Sequence, residues 1–215
     1  MRPCRGSPAA GSAHGMETIA KKTLRTVDVV ADLARVTAVG ALLWALLAHS
    51  PENIARFAVV VVLLLIPRVA GLARPFDAAF GWTVLLATVA AAAGWYKTIA
   101  WIDWVIHCVT TGAVAAMAVL VLAKLQLLPR LHGSVPRRHR MALVLLTTSV
   151  GFSIGVLWEF YEWLASRIFE VPMVVGYTDT VADLAMDGLG SMIAGVAITA
   201  WAAHGFTRHR ADLDW

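Results

Sequence analysis

Long apolar segments constrain this chain more than any other feature of its sequence. A helix that crosses a bilayer needs about 20 mainly apolar residues. Segments close to that length lie at 29–48, 54–72, 78–96, 99–123, 141–163 and 180–203. The chain is 59% hydrophobic and only 15% charged, whereas soluble domains carry about 25% charged residues. The sequence therefore predicts an all-α fold, a polytopic membrane helix bundle with about six transmembrane helices.

The second apolar segment is the weakest of the six. Arg56 lies at its start and Pro67-Arg68 interrupts its end, although its centre, AVVVVLLLI, is strongly apolar. We still expect this segment to span the membrane.

The domain organisation follows from where the apolar segments begin and end. Residues 1–26 start with a Gly-, Pro- and Ser-rich stretch without periodicity, which predicts a disordered cytoplasmic tail. Residues 27–205 form the predicted six-helix transmembrane domain, and 206–215 a second cytoplasmic tail. No cleaved signal peptide is expected, because the first apolar stretch comes only after the basic residues of 21–25.

The distribution of Lys and Arg predicts the orientation of the chain. If the N-terminus is cytoplasmic, the outside segments contain only Arg56, Lys97 and Arg167, and the first span contains Arg35. Every other Lys and Arg is then cytoplasmic. This bias follows the positive-inside rule and places both termini in the cytoplasm. We therefore expect a multi-pass protein of the cell membrane, inner or plasma, in contact with the lipid bilayer.

The basic charge of the chain does not indicate a nucleic-acid partner. The net charge of +4 and the pI near 9.4 come from residues between the apolar segments, where Lys and Arg act as topology signals. Cys4 lies in a tail and Cys108 within an apolar segment, so the cysteines form neither a disulfide framework nor a CxxC pair.

Ionisable residues within three apolar segments indicate a site. Such residues cost at least about 2.5 kcal/mol each on insertion scales, so they usually face a partner or a polar cavity. They are Asp103 and His107 in the fourth segment, Glu159 and Glu162 in the fifth, and Asp179, Asp183 and Asp187 in the sixth. At 1.5 Å per residue, Asp187 lies about 10 Å and His107 about 12 Å from the outer end of its helix. We expect all seven to converge in the outer half of the membrane.

A divalent metal, or a pair of metals, is the predicted source of positive charge in this pocket. Neighbouring carboxylates in a low dielectric cannot all be ionised without cations, and the outer region contains few Lys and Arg residues. The predicted ligands are Asp103, His107, Glu159, Asp179, Asp183 and Asp187, with Glu159 and Glu162 as catalytic carboxylates. Imidazole together with carboxylates suits Mn, Fe or Zn better than Ca.

Simpler roles are open for several of these residues. Asp179 is placed to cap the start of the sixth helix, and Glu162 to lie in solvent at the interface. His107 follows Asp103 by one helical turn, so the two can form a structural pair.

Two further patterns predict packing rather than chemistry. The stripes at 151–155 and 191–195 have small residues four positions apart, which favours close helix contact. Asp28 and Asp32 are explained by ion pairs with Arg residues of their own helix.

Three motifs stand out in the second half of the chain. They are DWVIH with the following TTG, WEFYEW, and GYTDTVADLAMDGLGS. Together they resemble the YjdF-type family of bacterial inner-membrane proteins over residues 78–203. The resemblance implies a multi-spanning membrane protein in which the ionisable residues of the three motifs form one site. It implies no particular reaction.

Three functions are compatible with such a site. The first is a metal-dependent enzyme acting on a lipid or amphiphilic substrate near the outer leaflet, with a carboxylate as general base. The second is an ion- or proton-coupled transporter or channel that uses the same carboxylates. The third is a non-catalytic membrane protein whose polar cluster fixes helix packing. The nearly apolar inner halves of the last three segments favour a site open to one side.

Overall fold

The computed structural model consists of helices joined by short connections. It describes the backbone of residues 9–128, 136–168, 170–171, 173 and 175–208, with side chains between residues 23 and 203 except residue 24. The helices are α1 (Ala9–Leu47), α2 (Pro51–Leu63), α3 (Ile66–Val69), α4 (Arg74–Ala92), α5 (Trp95–Thr98), α6 (Ile102–Lys124), α7 (Arg137–Ile168) and α8 (Tyr177–Arg208). The described residues contain no strand, which confirms the predicted all-α fold.

Among the described residues, five helical stretches are long and apolar enough to cross a membrane. They are Arg25–Leu47, Arg74–Ala92, Ile102–Lys124, Arg137–Ile168 and Tyr177–Ala203. The predicted membrane helix bundle is thereby confirmed. The second apolar segment differs from its prediction, because α2 has only 13 residues and is too short to span as a single helix.

A proline explains why the second segment is broken. Pro67 has no N–H, so the carbonyl of Leu63 loses the donor that a continuous helix would supply. α2 accordingly ends at Leu63, and residues 64–65 form a turn before α3. Arg35 of α1 donates from Nε to the carbonyl oxygen of Leu64 at 3.1 Å. A side chain from the neighbouring helix therefore satisfies one carbonyl at the break.

Ion pairs tie α3 and α4 to α1. The pairs are Asp32–Arg35 (3.2 Å), Asp32–Arg68 (3.9 Å), Asp77–Arg35 (2.6 Å) and Asp28–Arg74. The predicted intrahelical pair of Asp32 is thus present. The prediction for Asp28 was wrong, because its partner lies on α4 rather than on α1. Arg68 of α3 contacts Asp32 of α1, so the second apolar segment runs back along α1. It does so as two helices instead of one.

The N-terminal part of α1 extends into the segment for which the sequence predicts a disordered tail. The backbone is helical from Ala9 and continues into the first span without a break. Extending an existing helix avoids the cost of nucleating a new one, which favours this continuation. The ends of the two predicted tails, residues 1–8 and 209–215, lie outside the described residues.

α4 links two groups of helices. Its Leu85 packs in a buried apolar cluster with α1 and α2. Its Phe80 packs in a second cluster with α6, α7 and α8. The three helices that carry the predicted site therefore form one side of the bundle.

Glycines allow α6, α7 and α8 to approach one another closely. A Cβ atom on Gly190 of α8 would overlap the carbonyl oxygen of Cys108 on α6. One on Gly195 would lie 2.9 Å from the Cα atom of Val144 on α7. Both small-residue stripes lie at the contact between α7 and α8, as predicted. α6 and α8 run parallel, with α7 antiparallel to both, and we call the end at which α6 and α8 begin the upper end.

Candidate metal centre

The upper ends of α6 and α8 bring four of the predicted residues together. Asp103 and His107 on α6 face Asp183 and Asp187 on α8. Within each helix the two side chains are four residues apart, which places them on one face. His107 is 6% exposed, Asp183 1% and Asp187 0%. Asp103 is more open, with 23% of its side chain exposed, so the cluster becomes more accessible toward the upper end.

His107 is held by a carboxylate from the other helix. Its Nδ1 atom lies 3.0 Å from Oδ1 of Asp187. The hydroxyl of Thr111 donates to the same oxygen at 2.6 Å. Thr111 follows His107 by four residues on α6, so Asp187 of α8 contacts two side chains on one face of α6.

Asp103, His107 and Asp183 have ligand atoms that could surround one cation. One such atom from each residue lies within 4.8 Å of those of the other two. The Nε2 atom of His107 is 3.6 Å from Oδ1 of Asp103, which is longer than a hydrogen bond. This ring nitrogen therefore faces the carboxylates without being occupied by one of them.

Several carboxylate oxygens of the cluster are buried without a partner. Neither oxygen of Asp183 has a hydrogen bond within the described part of the chain, and the same holds for Oδ2 of Asp187. Within the described residues, the basic group that lies within 4 Å of Asp103 and Asp187 is the imidazole of His107, which carries a charge only when it is protonated. Burying a carboxylate without compensation is so unfavourable that it becomes protonated or binds a cation. The buried carboxylates of the cluster are therefore neutralised by protons, by a cation or by both.

Glu159 of α7 adjoins the cluster from the upper side. Its Oε2 atom accepts a hydrogen bond of 2.6 Å from the hydroxyl of Thr180, which lies one turn before Asp183 on α8. Its other oxygen, Oε1, is buried without a partner. Deeper along α7 by one turn, Gly155 lies against Oδ2 of Asp187. Glu159 therefore lies between the cluster and the upper end.

Two of the predicted residues have other contacts. Glu162 accepts a hydrogen bond of 3.0 Å from the indole N–H of Trp158 on its own helix. Asp179 lies in the first turn of α8, where a carboxylate favours the helix N-terminus. Neither belongs to the group whose ligand atoms lie within 4.8 Å of one another.

Sequence reasoning did not assign three nearby residues to the site. Thr111 could have been found from its four-residue spacing to His107, and it belongs to the TTG that follows DWVIH. Gly155 was recognised as a packing residue, but its contact with the carboxylate of Asp187 depends on the rotation of α7. Tyr96 of α5 lies above the spans, and burial raises its pKa, helped by the carboxylates of Asp103 and Glu162.

A family model covers most of the chain. The model is DUF2238, described as a predicted membrane protein, and it matches residues 27–204. This match confirms the expectation of a membrane protein family that the three motifs raised. Neither the curated proteins nor the solved structures contain a match to the chain.

Proposed function

This chain belongs to the DUF2238 family of predicted membrane proteins, and from that premise we propose that it binds a divalent metal through Asp103, His107 and Asp183. We propose further that the metal serves an enzyme that acts on a lipid or amphiphilic substrate. The observation that carries the proposal is the side chain of Asp183. It is 1% exposed, both its oxygens lack partners among the described residues, and it lies beside an imidazole and a second carboxylate.

The set of donor atoms suits Mn, Fe or Zn. One imidazole nitrogen with carboxylate oxygens is a mixture that these metals accept, whereas Ca and Mg prefer oxygen alone. Three protein ligands leave coordination positions open, which is typical of catalytic rather than structural sites. Such a metal, when bound, supplies Lewis acidity toward a substrate oxygen or a water molecule.

Glu159 is the carboxylate best placed to accept a proton in this site. Thr180 fixes one of its oxygens, and the other is buried without a partner within the described residues. A general base must be held within hydrogen-bond reach of the group that it deprotonates. The fixed position of Glu159 beside the cluster supports this role. Glu162, whose Oε1 atom is engaged by Trp158, is a more distant second carboxylate.

Close packing below the cluster supports an enzyme over a transporter. Transport requires a path to the other side of the membrane, yet α6 and α8 touch at Gly112 and Gly190 directly below the site. Farther down, Val119 and Ile198 are fully buried in the apolar cluster between these helices. This close packing supports access to the cluster from the upper end.

We place the upper end toward the outer leaflet. The opposite end carries Arg68, Arg74, Lys124 and the basic start of α7 at Arg137, which fits a cytoplasmic face. Both termini then lie in the cytoplasm and the protein resides in the cell membrane. A substrate with an apolar part would reach the site from the outer leaflet.

Metal analysis of the protein purified in detergent tests the proposal. The wild-type protein should contain close to one Mn, Fe or Zn ion per chain. Asp183→Asn should lower metal affinity by more than about 100-fold. Loss of a residue that only supports a ligand weakens metal binding by about 10–100-fold, so a larger loss indicates a ligand. Glu52→Gln is the matched control, because Glu52 lies at the start of α2 and pairs with Arg56 outside the site.

Two results would contradict the metal site. One is a wild-type protein that is free of metal and stable at neutral pH, which would favour protonated carboxylates and a proton relay. The other is an equal loss of metal in Asp183→Asn and Glu52→Gln. If the metal is bound but no lipid or amphiphile is turned over by the loaded protein, the enzyme part of the proposal fails alone.

A further inference from the structure

Asp187 contacts one ring nitrogen of His107, and Asp103 lies near the other. The Oδ1 atom of Asp187 lies 3.0 Å from Nδ1 of His107 and accepts the hydroxyl of Thr111 at 2.6 Å. An ionised carboxylate oxygen only accepts hydrogen bonds. With Asp187 ionised, a neutral imidazole donates from Nδ1 to this oxygen and keeps its lone pair on Nε2.

We propose that Asp187 and Thr111 are positioning residues that fix this tautomer and the plane of the His107 ring. The inference rests on the proposed metal site, because its purpose is to present Nε2 to Asp103 and Asp183. Metal-binding histidines generally donate their second N–H to a carboxylate or a carbonyl, which sets the tautomer and raises the basicity of the ligand. Asp187 takes that place here.

The burial of the three residues makes the support rigid. His107 is 6%, Thr111 8% and Asp187 0% exposed. Water cannot readily replace either hydrogen bond, so losing Asp187 would free the ring to rotate and to carry its proton on either nitrogen. Asp103 lies at the other side of the ring, 3.6 Å from Nε2, and does not compete for the proton on Nδ1.

Thr111 offers a matched pair of variants. Thr111→Val keeps the volume of the side chain and removes its hydroxyl, whereas Thr111→Ser keeps the hydroxyl. A residue that only fills space would tolerate valine better than serine. A residue that orients Asp187 through its hydroxyl shows the opposite order.

The test combines metal affinity with ¹⁵N NMR of the histidine rings in the full-length protein. The His107 signals are identified by their loss in His107→Gln. After removal of metal by a chelator, wild-type His107 should be protonated on Nδ1. Asp187→Asn should alter that tautomer and weaken metal binding by about 10–100-fold. Thr111→Val should weaken binding less than Asp187→Asn, and Thr111→Ser should resemble the wild type.

The outcomes separate this inference from the metal site itself. Wild-type His107 protonated on Nε2, or an unchanged tautomer in Asp187→Asn, would overturn the positioning role. Asp187 would be a ligand if Asp187→Asn lost metal as completely as Asp183→Asn and kept the tautomer of His107. If the wild-type protein binds no metal but His107 keeps its proton on Nδ1, the proposed metal site is wrong. The orientation of His107 by Asp187 is then still supported.

Discussion

The carboxylate of Asp187 fits between α6 and α7 because residue 155 is a glycine. A Cβ atom at Gly155 would overlap Oδ2 of Asp187 and lie 2.9 Å from its Cγ atom. The missing side chain on α7 thus provides the space in which a carboxylate of α8 turns toward α6. Glycine has a hydrogen atom where alanine has a methyl group, and this difference at residue 155 gives Asp187 room to reach His107.

Gly155→Ala should therefore damage the site and the packing together. The added methyl group must displace Asp187 or separate α7 from α8, and overpacking of this kind costs about 1–3 kcal/mol. We expect a lower thermal midpoint in detergent and weaker metal binding.

Gly40→Ala is the control for this prediction. Gly40 lies within α1, and a Cβ atom there would meet nothing within 4 Å. Alanine in a helix interior is favoured over glycine by about 1 kcal/mol, so this variant should be neutral or slightly more stable with unchanged metal content. Equal metal binding by the two alanine variants would contradict the role of Gly155.

At the scale of elements, Arg35 connects three helical segments that the sequence leaves separate. Its guanidinium pairs with Asp32 on α1 and Asp77 on α4, and its Nε atom donates to Leu64 at the break after α2. The side chain of Arg35 is 16% exposed and that of Asp77 only 4%. Removal of Arg35 would leave a buried carboxylate and a backbone carbonyl without their donor.

Arg35→Met should destabilise the protein by about 3–5 kcal/mol, the range for breaking one side of a buried ion pair. The matched variant is Arg56→Met, which removes the partner of Glu52 at a more exposed position. Exposed pairs contribute about 0–1 kcal/mol, so Arg56→Met should change stability little. Chemical denaturation in detergent measures both, and similar losses would show that Arg35 does not hold the broken segment.

At the scale of the whole molecule, the proposed function depends on which side of the membrane the upper end faces. The lower end contains the connection after α6, and the upper end the connection between α7 and α8. Labelling of single cysteines decides between the two orientations. Leu127 is 67% exposed and Val175 39% exposed, so both positions are accessible to a reagent on the correct side.

In a chain with Cys4→Ser and Cys108→Ala, a membrane-impermeant thiol reagent should label Val175→Cys in intact cells. Leu127→Cys should react only after the cells are permeabilised, because Lys and Arg near it favour the cytoplasm. The permeabilised sample controls for the reactivity of each thiol. The reverse pattern in intact cells would place the site at the cytoplasmic leaflet and reject an outer-leaflet substrate.

The sequence alone determined five of the six apolar helices, their membrane character and the residues from which a site could be built. These properties depend on the apolar length and periodicity of each segment, which neighbours along the chain supply. The acidic and His residues of α6 and α8 were found in this way, because four-residue spacing already places them on one face. The shared depth of these residues followed from the predicted direction of each helix.

Only the tertiary structure decided which of those residues are partners. Spacing along α6 favoured Asp103 as the partner of His107, but the nearer oxygen comes from Asp187, 80 residues away. The contacts of Arg35 with Asp77 and with the carbonyl of Leu64 were equally invisible in the sequence, although Pro67 already marked the break after α2. Each depends on how far neighbouring helices rotate and approach, and glycines at their contacts set that distance. Local patterns cannot encode it, because the atoms that meet belong to segments far apart in the chain.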